Sequence, residues 1–230
     1  TCALPIWVGI GRVLRLKGKL QESEGILAML HSEHPDDPRV VGELVDTLLA
    51  GGKPARAIAL CRQTVDAHPD LLGLRARLGG LALALGRHNE VYDVAQALLE
   101  RDPGNVAAHT QLAAMFLQKG LTSLAVEHAN KAAAQNPNAE NVYRLRVTAL
   151  MANGDLTQAQ ERLEALLKVL PDDLQSLLSL SECQQRQGRL EQALETLNRA
   201  LAKHPNAMAV HTGIAQLLFI GLQVRNHRCC

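Results

Sequence analysis

The chain has 230 residues, with 24 Lys and Arg against 23 Asp and Glu, so its formal net charge is +1. This near-neutral balance excludes the strongly basic surface typical of a nucleic-acid-binding protein, and a 47% content of apolar residues excludes a disordered tail. Aromatic residues make up only 2% of the chain, which disfavours a β-sandwich or barrel and favours an all-α protein.

The two ends of the chain differ in pattern from everything between them. Residue 1 is not Met, and no charged segment precedes an apolar run, so residues 1–6 do not read as a natural start or a signal peptide. They read as a translated sequencing adapter, and residues 223–230 read as a frameshifted end. We therefore interpret both ends as artefacts and the chain as a fragment, which leaves its location open between cytoplasm and periplasm.

Between these ends, two residue types recur every 34 positions. Proline recurs at Pro35, Pro69, Pro103, Pro137, Pro171 and Pro205. Glycine recurs at Gly18, Gly52, Gly86, Gly120, Gly154 and Gly188. Within each interval the apolar residues follow helical spacing, so each unit is predicted to be two short helices, A and then B.

The second unit shows how one hairpin is specified. Asp37 is predicted to cap helix A, and Pro38 to occupy its first turn, where a missing N–H costs nothing. Helix A is predicted to end near Ala50. Helix B is predicted to run from about Ala55 to His68 and to stop before the next proline, which cannot continue it.

Two rows of residues are predicted to form the inside of the hairpins. Each hairpin offers too few apolar side chains to offset its own ordering entropy, so neighbouring hairpins must stack. The small row, which lets helices A and B approach closely, is Ser23, Ala57, Val91, Ala125, Ala159 and Ala193. The bulky row, which fills the space between hairpins, is Ile10, Leu44, Leu78, Leu112, Arg146, Leu180 and Ile214.

The clearest repeat signatures lie in the second half of the chain. They are Gly-Asp-Leu-Thr-Gln-Ala at 154–159 and Gly-Arg-Leu-Glu-Gln-Ala at 188–193, with Asn136-Pro137-Asn138 and His204-Pro205-Asn206. With the 34-residue period, they resemble the tetratricopeptide repeat (TPR) family, and the chain is interpreted as a bacterial member of it. The resemblance implies an all-α, right-handed α-α superhelix: one solenoid over 1–230 with repeats at 4–37, 38–71, 72–105, 106–139, 140–173 and 174–207, plus a helix at 208–222.

Some residues depart from the pattern of this family. Gly79 is smaller than expected, and Arg75, Arg146 and Gln184 stand where the family usually has apolar side chains. We expect these three to lay their aliphatic stems along apolar surface and to keep their polar ends in water. Cys61 and Cys183 fall inside helical patterns and are predicted to be buried.

The sequence contains no motif for an enzyme, so no catalytic residue, cofactor or metal is predicted. It has no P-loop, nucleophile elbow, dinucleotide fingerprint or zinc-protease helix. His31 with His34 is the one histidine cluster with metal-like spacing. However, His34, His68 and His204 share one repeat position before proline and are predicted to lie at helix C-termini. Carboxylate pairs at 36–37 and 172–173 are predicted to be helix caps.

The resemblance to this family implies a concave groove that is lined by the A helices and binds a peptide or a partner helix. Arg77 and Arg144 stand isolated in their rows without a neighbouring Asn, so a clamp for a C-terminal carboxylate is not expected. The apolar ladder formed by Leu49, Leu83, Leu117 and Met151 instead favours a partner that buries apolar side chains. Alternatively, the ladder only packs adjacent A helices together. The predicted groove residues are Leu49, Arg77, Leu83, Gln111, Leu117, Arg144 and Met151.

The predicted function is therefore a non-catalytic protein–protein interaction scaffold. No nucleic acid partner and no transmembrane segment are expected, and exposed solenoid ends predict self-association. Two alternatives stay open: the arm of a larger enzyme of glycosyltransferase or sulfotransferase type, and part of a scaffold for polysaccharide export or surface assembly. The sequence does not name the partner, the length and repeat number of the parent protein, or any catalytic domain that follows.

Overall fold

In the computed structural model, residues 4–137 and 139–227 are described, and this part of the chain contains thirteen α-helices and no strand. The predicted all-α helical repeat solenoid is confirmed. Asn138 of the repeat signature, and residues 1–3 and 228–230 of the two ends, lie outside the described residues. The helices are α1 (Leu4–Leu16), α2 (Leu20–Glu33), α3 (Pro38–Ala50), α4 (Pro54–Ala67), α5 (Leu72–Ala84), α6 (His88–Leu99), α7 (Val106–Gln118), α8 (Thr122–Gln135), α9 (Glu140–Asn153), α10 (Leu156–Val169), α11 (Leu174–Arg186), α12 (Leu190–Lys203) and α13 (Met208–His227).

The odd-numbered helices are the A helices, and each begins 34 residues after the previous one. Every A helix except α13 is joined to its B helix through a glycine with a positive φ, between 66° and 87°. Residues with a Cβ rarely adopt this conformation, so the turn selects glycine. These bends are the glycine ladder of the sequence: Gly18, Gly52, Gly86, Gly120, Gly154 and Gly188.

The small row packs at the centre of each hairpin, as predicted, because all six of its members are fully buried. Its contacts repeat across the stack. The Ser23 hydroxyl donates to the Gly11 carbonyl oxygen at 2.8 Å, and the Ser181 hydroxyl donates to the Ala193 carbonyl oxygen at 3.1 Å. Gly11 and Ser181 hold one repeat position, and Ser23 and Ala193 hold the other, so the same contact forms with donor and acceptor exchanged.

Of the two carboxylate pairs predicted as caps, the second member of each is confirmed. Asp37 accepts a hydrogen bond from the Arg39 N–H at 2.8 Å, and Asp173 accepts one from the Ser176 N–H at 2.9 Å. The histidines that precede prolines of the 34-residue series are the C-caps of α2, α4 and α12: His34, His68 and His204. The predicted end of the last helix at 222 is wrong, because α13 continues to His227.

The residues that depart from the family pattern have different environments. Cys61 and Cys183 are fully buried, as predicted. Gln184 is 7% exposed and accepts a hydrogen bond from the Thr196 hydroxyl at 2.8 Å, so the prediction that its amide reaches water is wrong. Arg146 is half-buried, and burial lowers the pKa of its guanidinium.

Candidate functional site

The A helices form one side of the stack, on which α1 packs against α3, α5 against α7, α7 against α9, and α11 against α13. We call the surface of these odd-numbered helices the A-helix face. All seven predicted groove residues belong to A helices: Leu49 to α3, Arg77 and Leu83 to α5, Gln111 and Leu117 to α7, and Arg144 and Met151 to α9.

The apolar ladder lies at the border between this face and the core. Leu49, Leu83 and Leu117 are half-buried and pack against buried core residues. Met151 is 8% exposed and belongs to the core of the C-terminal half. The three leucines therefore keep part of their surface in solvent, whereas Met151 keeps almost none.

Gln111 points into the stack rather than into solvent. It is 8% exposed, and its Nε2 donates a hydrogen bond to the Ala76 carbonyl oxygen of α5. Its Oε1 is buried without a hydrogen-bond partner. Gln111 thus links α7 to α5 beneath the A-helix face.

A charged cluster occupies the face at α1, α3 and α5. Arg15 lies 3.0 Å from the Glu43 carboxylate and 3.8 Å from the Asp46 carboxylate, and Asp46 also pairs with Arg77. Arg77 therefore has a carboxylate partner on the neighbouring A helix. Above this cluster, α1, α3 and the Arg77 side chain enclose a cavity of about 380 Å³ that is also lined by Arg12.

A second cavity, of about 340 Å³, opens between α9 and α11. Val147 and Leu163, both buried, line its apolar part. Its polar lining includes Thr148, which is exposed, Ser179, which is half-buried, and Ser176, which is buried. We call this space the α9–α11 cavity. The groove residues predicted from the sequence all come from A helices, so that prediction missed Leu163 of α10. Its apolar spacing within the predicted B helix was the signal available in the sequence.

Two further side chains line the α9–α11 cavity. Arg144 lies 2.9 Å from Glu140 and 3.5 Å from Asp173, so it too has carboxylate partners. Burial raises the pKa of Tyr143 to about 12, and its hydroxyl donates a hydrogen bond to the Arg162 carbonyl oxygen. The phenol therefore stays protonated at neutral pH and joins α9 to α10.

Within residues 4–137 and 139–227, no three metal-ligating side chains come together as a cation site. No helix in the described part of the chain combines the length and the hydropathy required to cross a bilayer.

Sequence comparisons relate the chain to known repeat proteins. Two profiles of the tetratricopeptide repeat match, one over residues 150–217 and the other over residues 80–140. Cellulose synthase operon protein C of Xanthomonas axonopodis pv. citri (strain 306) is 29% identical over 205 residues, which is 88% of this chain. The chain spans only 12% of the length of that protein.

Solved structures share the fold at low identity. The APC/C hetero-tetramer Cut9-Hcn1 superimposes with a TM-score of 0.71 at 14% identity, over 92% of this chain and 42% of the other. YrrB, described as a TPR protein with an unusual peptide-binding site, gives a TM-score of 0.63 at 17% identity, over 81% of this chain and 96% of its own.

Proposed function

Because this chain belongs to the tetratricopeptide repeat family, we propose that it is a non-catalytic scaffold that binds a peptide or a helix of a partner protein along the A-helix face. Repeats of this family form protein-interaction scaffolds, and YrrB, which shares the fold, is described as having a peptide-binding site. In this proposal Leu49, Leu83, Leu117 and Arg144 touch the partner. Three residues support that surface: Arg77, Gln111 and Met151.

The observation that carries the proposal is the α9–α11 cavity. Its apolar part, formed by Val147 and Leu163, is suited to one apolar side chain. Thr148 is exposed and Ser179 is half-buried at this cavity, so their hydroxyl oxygens can accept hydrogen bonds from the backbone N–H groups of an extended segment or of a helix N-terminus. The cavity thus combines burial with backbone recognition, which is the chemistry of a peptide site.

The experiment is selection of peptides from a random phage-displayed library on the full 230-residue chain, followed by calorimetry of the selected peptides. A Thr148→Arg, Ser179→Arg variant places two long cations in the cavity mouth and is expected to weaken binding at least about tenfold, a loss of about 1.4 kcal/mol. The control is Glu195→Arg on α12, an exposed residue of a B helix. Unchanged affinity in a folded double variant would show that the site lies elsewhere.

A second candidate function follows from the sequence comparison. The 29% identity over 205 residues to a protein of a cellulose synthase operon favours a role in polysaccharide export or surface assembly. We propose that the chain is then one stretch of repeats within a longer scaffold. The arm of a glycosyltransferase or sulfotransferase remains the other alternative, and no relative named here favours it.

Genomic sequence on both sides of this reading frame tests the second candidate. A continuous frame encoding many more repeats, beside genes for a polysaccharide synthase, is the expected result. A catalytic domain fused in the same frame would instead identify the arm of an enzyme. Peptide binding at the α9–α11 cavity is compatible with both outcomes, so the two tests are independent.

A further inference from the structure

Two histidines join α7, α8 and the loop before α7. The Nδ1 atoms of His109 and His128 lie 3.0 Å apart, and Nε2 of His109 lies 3.0 Å from the Pro103 carbonyl oxygen. His109 is 5% exposed, and the half-buried ring of His128 also lies against Phe116, with ring centroids 5.5 Å apart. The pair of rings therefore joins α7 to α8 within the fourth hairpin, and His109 also holds the loop that precedes α7.

The partners of the two rings fix where protons sit. A carbonyl oxygen only accepts, so Nε2 of His109 carries a proton and donates it to Pro103. Two Nδ1 atoms can bond only with one proton between them. In the neutral pair His128 donates that proton, which leaves its own Nε2 as the open basic nitrogen. One added proton keeps every hydrogen bond, whereas a second would place protons on both Nδ1 atoms and break the contact.

The link to the proline carbonyl recurs in the repeat, but the second histidine does not. His211 lies 2.8 Å from the Pro205 carbonyl oxygen, at the same repeat positions as His109 and Pro103. The residues one period before and after His128 are Val94 and Arg162. The loop contact is therefore a feature of the solenoid, and His128 adds a titratable partner to one joint.

Burial, and then the charge of His109, lower the pKa of His128. The other charged neighbours of this pair act in opposite directions, because Lys131 lowers the pKa of His128 and Glu127 raises it. Helix α7 carries no ionisable side chain other than His109, and Asp102 of the preceding loop accepts from the Gly104 N–H and from Asn105. On the adjoining helices Glu127 pairs with Lys131 on α8, Glu140 with Arg144 on α9, and Glu90 of α6 with Arg87. Among the described residues, Asp93 on α6, Arg146 on α9 and Arg75 on α5 form no ion pair.

We propose that His109 and His128 form a pH-sensitive joint between α7 and α8, closed with at most one added proton and opened by two. Two imidazolium rings at this separation repel each other in a poorly solvated site. Opening separates the two rings and loosens α7 against α8, while the bond from His109 to Pro103 is kept; because α7 also packs against α5, its position among the A helices shifts. The separation of Leu83 and Leu117 on the A-helix face then changes, so acidification would act on whatever that face binds.

The test is the fall in the melting temperature (Tm) of the full chain between pH 7.5 and pH 5.0. A His128→Val variant, which copies Val94 of the preceding repeat, is expected to reduce that fall by about 2–4 °C. A His211→Phe variant removes the same proline contact without a second histidine and is expected to leave the pH-dependent fall unchanged. If His128→Val lowers Tm equally at both pH values, the pair has a packing role only and the proposal fails.

Nitrogen-detected NMR of the wild-type imidazoles tests the same joint without any variant. The expected spectrum has His109 in the Nε2–H tautomer at neutral pH, and two separate protonation steps for the pair. Between pH 7.5 and pH 5.0, amide exchange is expected to accelerate more for 110–116 in α7 than for the equivalent residues 212–218 in α13, after correction for intrinsic rates. Independent titration of both rings at the ordinary pKa of histidine would overturn the proposal.

Discussion

The side chain of Gln111 on α7 fills the space that Gly79 leaves open on α5. A Cβ atom built on Gly79 would overlap Oε1 of Gln111 and lie 3.0 Å from Cγ1 of Val94. The amide of Gln111 in turn donates to Ala76, three residues before that glycine. A glycine and a glutamine from successive repeats therefore form a single contact that holds two A helices together.

The first prediction tests this contact. Gly79→Ala overpacks the site and is expected to lower the free energy of unfolding by about 1–3 kcal/mol, measured by urea denaturation. Combining it with Gln111→Ala is expected to cost less than the sum of the single variants, because the shorter side chain no longer meets the new methyl group. The matched control is Gly80→Ala, whose Cβ meets only Gln111 Nε2 at 3.9 Å and is expected to stabilise the helix. Additive single costs would contradict the pairing.

The 34-residue period is enough to predict the fold. Each repeat requires one glycine at the turn and one small buried residue, and both recur at fixed positions in the sequence. The contacts of the A-helix face are not specified in this way. Gln111 was predicted as a groove residue, and its burial depends on Gly79, a position that belongs to another row. The ion pair of Arg77 with Asp46 joins residues 31 positions apart on two different helices. Side-chain directions between adjacent repeats decide such pairs, and spacing alone does not predict them.

The second prediction concerns the turn glycines. Gly120 has a φ of +72°, and no atom lies near its missing Cβ, so the cost of Gly120→Ala comes from backbone strain alone. We expect a loss of about 1–2 kcal/mol in the free energy of unfolding. Gly25→Ala, inside α2 and also in open space, is the control and is expected to add about 0.5–1 kcal/mol. Equal effects of the two changes would show that the turn does not require glycine.

The third prediction concerns the cap of α3. The hydrogen bond from Arg39 lowers the pKa of Asp37, and the backbone N–H of Arg39 also contributes. Asp37→Ala is expected to cost about 1 kcal/mol at pH 7, whereas Asp37→Asn keeps the cap and loses only the ion pair. The pKa of Asp37 is lower in the folded state than in the unfolded state, where it is about 3.9. The charged carboxylate therefore stabilises the folded state at pH values above about 3.9, and this stabilisation is lost as the pH falls through the lower pKa of the folded state. Wild type and the Asn variant should then converge in Tm on acidification, and a constant difference would contradict this assignment.

The fourth prediction is that the isolated 230-residue chain self-associates through the apolar surfaces of its first and last described helices. Ile6 and Leu16 on α1 are 65% and 70% exposed, and Phe219 and Leu222 on α13 are 61% and 59% exposed. Solenoid repeats stabilise one another by covering such surfaces, so two copies gain the same burial when these helices meet. Light scattering after gel filtration is expected to show a mass that rises with concentration.

A Phe219→Glu, Leu222→Glu variant is expected to shift that equilibrium to the monomer without changing the helical content. Leu85→Glu is the control, since Leu85 is also exposed, at 41%, but directly follows α5 in the middle of the chain. If both variants weaken association equally, the contact is a general apolar attraction and does not belong to the end helices. A single monomeric mass at high concentration in the unmodified chain would contradict the prediction directly. The apolar surfaces of α1 and α13 would then remain exposed to solvent without driving association.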